Sequence, residues 1–230
     1  MTQLSIDLAK EHYHFALPCY DGSITTETAL GLLETCAQLT QKKVSHSFSI
    51  IRSGSLIDQS RNELVARFLD REDATVLVFI DSDISFDWPA MSRLLAWATM
   101  YPLISGAYNS KRDSPHFIVN PADTKLNEHA LLPIHSLGIG FTAIQRKVFG
   151  AIDAPIFYHS HLGKDIPAYF QMGVVDGKYI GEDVWFFNQA EAAGFQPMLD
   201  PFIKLGHVGI KEYNTPFEMA LSKIVGDEST

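Results

Sequence analysis

Apolar residues recur along this chain at two different periods, and the two periods alternate. Val76-Leu77-Val78-Phe79-Ile80 is apolar at every position, the pattern of a strand covered on both faces, as in a parallel sheet. His12 to Leu17 predicts a shorter strand stopped by Pro18, Phe48 to Ile51 a second, and Leu103 to Tyr108 a further one. Between the strands the spacing becomes helical. Ile24 to Lys42 carries Ala29, Leu32, Leu33, Cys36 and Ala37 on the helical period. Ser53-Gly54-Ser55 marks a turn. Asp58 is placed to cap a helix reaching about Leu69, with Leu64, Phe68 and Leu69 inward. Asp87 and Pro89 open another helix that runs through Met100. This β-α-β-α-β-α-β order predicts an α/β fold, a doubly wound and mostly parallel sheet flanked by helices. Such sheets bind ligands at the carboxyl ends of their strands.

Beyond residue 110 the pattern is less regular. Ser136-Leu137-Gly138-Ile139-Gly140-Phe141 predicts a glycine-containing strand or turn, followed by a helix from Arg146. Ala154 to Lys178 mixes prolines, glycines and aromatics without a period. A stretch of that kind suits a lid or binding loop, and Tyr169 and Phe170 are its candidate residues. Thr215-Pro216-Phe217-Glu218 carries a capping box with Pro at the first helical position, so a terminal helix over about 215–228 is expected. No repeat or long Gly/Ser linker interrupts the chain, and 230 residues suit one domain.

Composition adds three exclusions. No segment approaches the ~20 consecutive apolar residues of a membrane helix, so no integral membrane segment is expected. Met1 to Lys10 lacks a basic start followed by an apolar stretch, so cytoplasmic residence follows by default. The balance of 18 basic against 27 acidic residues, net −9, argues against nucleic-acid binding, which rewards a basic stripe. Two cysteines, Cys19 and Cys36, make no disulfide framework and predict reduced, partly buried thiols.

The same acidity shapes the candidate chemistry. Asp81-Ser82-Asp83 directly follows the apolar strand. Residues two apart in extended chain point the same way, roughly 6–7 Å apart, so both carboxylates can face one hard divalent cation. The alternative is an Asx turn with solvated carboxylates. Gly181-Glu182-Asp183 opens a helix that ends near Ala193, with Gly194 as its stop. Its carboxylates either cap that helix or supply a general base that takes a proton from an attacking hydroxyl. His207 stands between apolar residues and glycines in Leu205-Gly206-His207-Val208-Gly209. It reads as a satisfied core or surface group, or as a ligand that its glycines let a bound group approach. His159 and His161, in the irregular stretch, are expected to be surface histidines.

Taken together, the order of these motifs resembles GT-A fold glycosyltransferases, from about Tyr13 to Gly209. Pro18-Cys19-Tyr20 is similar to that family's first nucleotide-contact loop, and Ser60-Arg61-Asn62 to its Arg-Asn element. Phe79-Ile80-Asp81-Ser82-Asp83 looks like the D-x-D motif, Leu137 to Phe141 like the glycine segment lining the sugar and acceptor pocket, and Gly181-Glu182-Asp183 like x-E-D. The resemblance implies a nucleotide-binding half over about 10–110 and an acceptor-binding half over about 111–210. It implies that Asp81, Asp83 and His207 hold a metal, Mn2+ or Mg2+, and that Asp81 also contacts the donor. A carboxylate/imidazole set tolerates manganese better than magnesium. Cys19, Tyr20, Asp58 and Arg61 would surround the nucleotide. Asp183 would be the base of an inverting transfer, and Glu182 would bind acceptor hydroxyls. The implied partners are a nucleotide-sugar donor, a UDP-sugar by preference, and a saccharide or other hydroxyl acceptor.

Two other classes stay open at this point. Phe79 to Ser85 also resembles the strand and D-x-D of haloacid dehalogenase-type phosphatases, where the first Asp is a nucleophile. In that family the motif lies on the first strand, whereas two βα units precede it here. The second is a non-catalytic sugar-binding domain on the same fold. Nucleotidyltransferases share the topology, but a glycine-rich phosphate loop is missing after the first strand.

Overall fold

The apolar run at 76–80 is the axis of the molecule. In a computed structural model describing residues 7–52, 54–112 and 114–225, it forms a strand buried along its whole length. After a 3-10 turn at Leu8–Lys10, the first half runs β1 (His12–Cys19), α1 (Thr26–Gln41), β2 (Ser45–Arg52), α2 (Ile57–Leu69), β3 (Val76–Ile80), β4 (Ile84–Ser85), α3 (Trp88–Ala98) and β5 (Leu103–Ser105). The second half continues with β6 (Val119–Pro121), β7 (Leu132–Leu137), β8 (Phe141–Gln145), α4 (Arg146–Ala151), β9 (Ile156–His159), β10 (Lys164–Pro167), β11 (Gly173–Val175) and β12 (Lys178–Ile180). It ends with α5 (Glu182–Ala192), β13 (Met198–Leu199), β14 (Gly206–Val208), β15 (Glu212–Tyr213) and α6 (Glu218–Val225).

Eight strands form the central sheet in the order β2-β1-β3-β8-β5-β13-β7-β6. β1 pairs in parallel with β2 and β3, and β13 with β5, while β8 and β7 run against the other six. The expected doubly wound, mostly parallel α/β sheet is therefore present. Its two faces are separately packed. Leu77 and Phe79 point into a core shared with Leu64 and Phe68 of α2, Phe149 of α4 and Phe186 of α5. Val76, Val78 and Ile80 point the other way, onto Leu32 of α1 and Met91, Leu94 and Leu95 of α3. Alternate residues of one strand supply both cores, which is why the run needs no polar position.

Several expectations are corrected by this packing. Pro18 does not end β1: it pairs with Ile51, beyond the Tyr13–Ala16 stretch that faces β3. At that height β1 has a neighbour on one side, so a missing N–H is tolerated. On α1 the buried face is Thr28, Gly31, Leu32, Thr35 and Leu39, and Leu33 is 67% exposed. Gly31 belongs to that face because a Cβ there would lie 2.6 Å from the Phe86 carbonyl oxygen. α2 has Leu56 rather than Asp58 at its N-cap, without a side-chain hydrogen bond. β5 stops at Ser105, well before Tyr108, and α6 starts at Glu218, later than the capping box indicates. Ser53 and the end of the expected terminal helix, 226–228, lie outside the described residues.

The irregular stretch is two hairpins, β9–β10 and β11–β12, and the lid expectation fails. Tyr169 and Phe170 are 5% and 1% exposed. The Asn62 amide holds the Phe170 backbone through two hydrogen bonds of 2.8 and 2.9 Å, and Phe170 stacks on Phe186. Their aromatic character belongs to the core. His159 is also buried, its Nε2 3.6 Å from Oε2 of Glu63, while the His161 ring is exposed. Cys19 is buried and Cys36 partly so, both as free thiols. Among the described residues, no helix is long and apolar enough to cross a membrane.

Candidate active site

Chain reversal after β3 gathers the acidic motifs. Asp81 leaves β3 with its N–H donating to the Gly140 carbonyl, so the D-x-D stretch lies against the Gly138-Ile139-Gly140 turn between β7 and β8. That turn needs its glycines. A Cβ on Gly140 would fall 2.5 Å from Asp81 Oδ2, and one on Gly138 would fall 2.5 Å from the Tyr108 hydroxyl. Both are closer than side chains approach. Just beyond the motif, β4 pairs with β14 so that Ile84 faces His207, and the Val208 N–H donates to the Asp83 carbonyl. This short ladder delivers a histidine from the far end of the chain to the second aspartate.

Arg61 holds the centre. Its side chain is 3% exposed, and its two terminal nitrogens donate to both oxygens of Asp81 at 3.0 and 3.2 Å. Its Nε lies 3.5 Å from Glu182 Oε1 and 3.5 Å from Asp183 Oδ1. Arg61 Nε and Asp183 Oδ1 are nevertheless both buried without a hydrogen bond. Asp183 Oδ2 accepts from the Ile139 N–H at 3.3 Å, across the glycine turn. The carboxylates of α5 are thus turned into the site, and its N-cap, Gly181, makes no side-chain capping bond. Three carboxylates share one guanidinium, so the cluster stays acidic. Burial, opposed by Arg61 and assisted by Glu182 and Asp81, raises the Asp183 carboxyl to about 7. Tyr108 donates no charge here: burial, with Asp81 and Asp183 nearby, lifts its phenol well above the usual value, and its hydroxyl accepts from the Gly140 N–H.

At the outer edge, His207 Nε2 lies 3.4 Å from Asp83 Oδ2, and Nδ1 lies 3.1 Å from the Asn109 carbonyl. A hydrogen bond from Nδ1–H to that carbonyl would leave Nε2 as the ligand atom. Lys111 Nζ sits 2.5 Å from the same Asp83 oxygen. Burial pushes the Asp83 carboxyl up, but His207 and Lys111 outweigh it and hold it below the ordinary value. The two neighbouring donors fit one edge of a divalent cation's coordination shell. Asp81 is turned toward Arg61, which donates one hydrogen bond to each of its oxygens. Among the described residues, no group of three or more His, Cys, Asp or Glu side chains converges on a common metal position.

A cleft of about 770 Å³ opens beside the cluster, lined by Glu182, Asp183 and His207, by Lys111 and His116, and by Phe117, Ile118, Val119, Leu137 and Val184. The sequence-derived residues thus separate into two groups. Glu182, Asp183 and His207 face the cleft, with Asp81, Asp83 and Arg61 tied to them by the pairs above. Cys19, Tyr20 and Asp58 lie outside it. Cys19 is buried, its thiol pushed up by burial and by the charges of Asp21 and Asp81, whereas Tyr20 is 74% exposed. Asp58 has a buried oxygen without a hydrogen bond. Arg61 is too enclosed by carboxylates to surround a nucleotide as the motif suggests. Lys111 and Tyr108 escaped the sequence reading. Their one signal was a tyrosine and a basic residue just after a strand at the sheet's carboxyl edge.

The sheet order is that of an α/β protein with GT-A architecture, and the acidic cluster lies at the carboxyl end of β3. As a structure, the chain is similar to the crystal structure of A197 from STIV, at 19% identity over 86% of each chain and a TM-score of 0.54. It is also similar to the catalytic domain of Drosophila beta1,4galactosyltransferase 7 in complex with xylobiose. That overlay has 14% identity, covers 96% of this chain and 82% of that one, and gives a TM-score of 0.51. No protein-family model matches the sequence, and no curated protein does. At these identities the likeness is one of fold.

Proposed function

We propose that this chain is a metal-dependent glycosyltransferase that moves a sugar from a nucleotide-diphosphate sugar, a UDP-sugar by preference, to an acceptor hydroxyl. The observation that supports it most is the Arg61 cluster, which sets Glu182 and Asp183 on a cleft wall while clasping the first aspartate of the D-x-D motif. The β1,4-galactosyltransferase likeness supports the architecture in which such a site works.

In this reading the Asp183 carboxylate, on the cleft wall and with its side chain 24% exposed, accepts the proton of the attacking hydroxyl. The new bond forms from the acceptor oxygen to the sugar carbon. The sugar–phosphate bond breaks, and its electron pair leaves on the diphosphate. Glu182 orients acceptor hydroxyls, and Asp81, fixed by Arg61, contacts the donor. Cys19, Tyr20 and Asp58 are assigned to the nucleotide. Asp83 and His207 would hold Mn2+ (or Mg2+), whose charge, when bound, offsets the charge developing on the departing diphosphate. Arg61 then acts as a positioning residue that keeps the base and the donor aspartate in register.

The phosphatase alternative would make Asp81 the nucleophile, and each of its oxygens already accepts a charge-assisted hydrogen bond from Arg61, which lowers its nucleophilicity. Calorimetric titration of UDP-, GDP- and dTDP-sugars with and without Mn2+ tests the proposal. Metal-dependent binding of at least one donor, lost in Asp83→Ala, is expected. Equal donor affinity in that variant with the metal present would defeat the metal assignment, and release of phosphate from simple monoesters, lost in Asp81→Asn, would favour the phosphatase.

A further inference from the structure

The cleft beside Asp183 has one polar side and one apolar side. The apolar side is built from the segment 117–119, which runs into β6, together with Leu137 at the end of β7 and Val184 in the first turn of α5. Ile118 is 67% exposed. The segment is pinned at its start, where the Asn109 side chain accepts the His116 N–H at 2.6 Å and Ser110 N–H donates to the His116 carbonyl. The exposed apolar surface is therefore held in place by the backbone.

Its chemistry discriminates between ligands. A sugar ring carries hydroxyls around its edge and stacks its flat face on aromatic planes. Of the aromatic rings that line the cleft, Phe117 packs at right angles to Phe217 with centroids 5.0 Å apart, and Tyr108 packs edge-on against His207 at 5.1 Å. Ile118, Val119, Leu137 and Val184 have branched aliphatic side chains, with neither a flat ring nor a donor. A wall of that kind rewards removal of alkyl surface from water. We propose that the acceptor is an amphiphile, its reactive hydroxyl next to an alkyl body that lies along Ile118, Val119, Leu137 and Val184. The inference rests on the glycosyltransferase reading for the word acceptor; the apolar binding itself does not depend on it.

Octyl and methyl β-glucosides, and the corresponding galactosides, are the probes, titrated calorimetrically at several temperatures below the concentration at which the octyl compounds form micelles. Each methylene taken from water is worth about fourfold in affinity. The octyl compounds are therefore expected to bind at least about tenfold tighter than their methyl partners, with a binding enthalpy that becomes more negative on warming. In Ile118→Ser that octyl-to-methyl ratio should shrink to about threefold or less. The ratio is internal to each variant, so a general loss of binding does not imitate it. Equal affinity for octyl and methyl compounds, no binding of either, or a ratio unchanged in Ile118→Ser overturns the proposal. A UDP-sugar titration with Mn2+ on the same protein separates the two ideas. Donor binding without octyl preference removes only the amphiphile, whereas octyl preference without donor binding leaves the apolar site and removes the glycosyl transfer.

Discussion

Asp183 and Asp200 each meet an arginine inside this fold, and the fold treats them differently. Asp200, with no exposed surface, accepts Arg93 Nε at 2.7 Å and Nη2 at 3.1 Å, the Trp97 indole N–H at 2.8 Å and the Phe202 N–H at 2.9 Å. Every lone-pair direction has a donor. Asp183 has one hydrogen bond, from Ile139, and its other oxygen stands 3.5 Å from an Arg61 nitrogen that is itself unpartnered. The first arrangement ties the end of β13 to α3 and leaves no chemistry available. The second leaves one buried oxygen of a cleft-wall carboxylate without a hydrogen bond, where two further carboxylates compete for the same guanidinium. A buried charge lacking its full set of partners costs stability, so its persistence at a cleft wall points to a function for the Asp183 carboxylate.

The sharpest way to break this contrast is to neutralise both aspartates. Asp183→Asn removes the base while relieving the excess of negative charge, so the fold is expected to hold. Transfer should fall by about 10²–10⁴-fold with donor affinity retained, measured as kcat beside a donor titration. Full transfer in that variant would eliminate Asp183 as the base. Asp200→Ala is expected to do the reverse. It strands the Trp97 and Phe202 N–H groups, while Arg93, partly exposed, is rehydrated. A loss of about 2 kcal/mol, or about 6 °C in Tm, should accompany unchanged transfer per folded molecule. If thermal melting shows no loss, the saturated pair is not the tie described here.

How much of this contrast is visible in the sequence depends on the range of the interaction. The apolar run at 76–80, the capping of α3 by Asp87 and the glycine that ends α5 are local signals, and each lies where its pattern places it. The acidic motifs were also legible, since Asp81, Asp83, Glu182 and Asp183 are short patterns at element ends. What the sequence did not disclose is which partners they meet. Arg61 reaches from α2 across 20 positions to Asp81 and further to α5, and Lys111 arrives from a loop without a periodic signal. Hydrophobic pattern does not encode such pairings. The lid expectation failed for a related reason: Tyr169 and Phe170 lie in a stretch without a period because its hairpins are short, yet Asn62, on a distant helix, fixes that backbone inside the core.

Titration sharpens the comparison further. The Asp183 carboxyl, raised by burial from 3.8 to about 7, holds its proton more tightly in the folded chain than in the unfolded one. Its contribution therefore favours folding below the ordinary value, and is lost as pH rises from about 3.8 through about 7. The base needs the opposite condition, because only the ionised form accepts a proton. Transfer is expected to decline about tenfold per pH unit below about 7, while thermal stability measured over the same range gains from this group. A kcat profile flat from pH 5 to 8, with chemistry shown to limit the rate, would contradict the assignment.

The smallest expected effect concerns the outer edge of the site, where Lys111 places an ammonium on the Asp83 oxygen that a divalent cation would use. Cation and lysine compete for one position. Lys111→Met removes the competitor and keeps most of the side chain's length, so Mn2+ should bind more tightly. Both partners are partly exposed, at 41% and 28%, and water screens such pairs to about 1 kcal/mol or less. The gain is therefore held to about fivefold, and it should shrink as salt rises, because the lysine's grip on Asp83 weakens in the parent chain as well. Mn2+ titrations of both proteins at low and high ionic strength read this directly. Weaker metal binding in the variant would mean that Lys111 assists the cation instead of excluding it, and metal binding unaffected by both Lys111→Met and His207→Ala would remove the Asp83–His207 edge as its site.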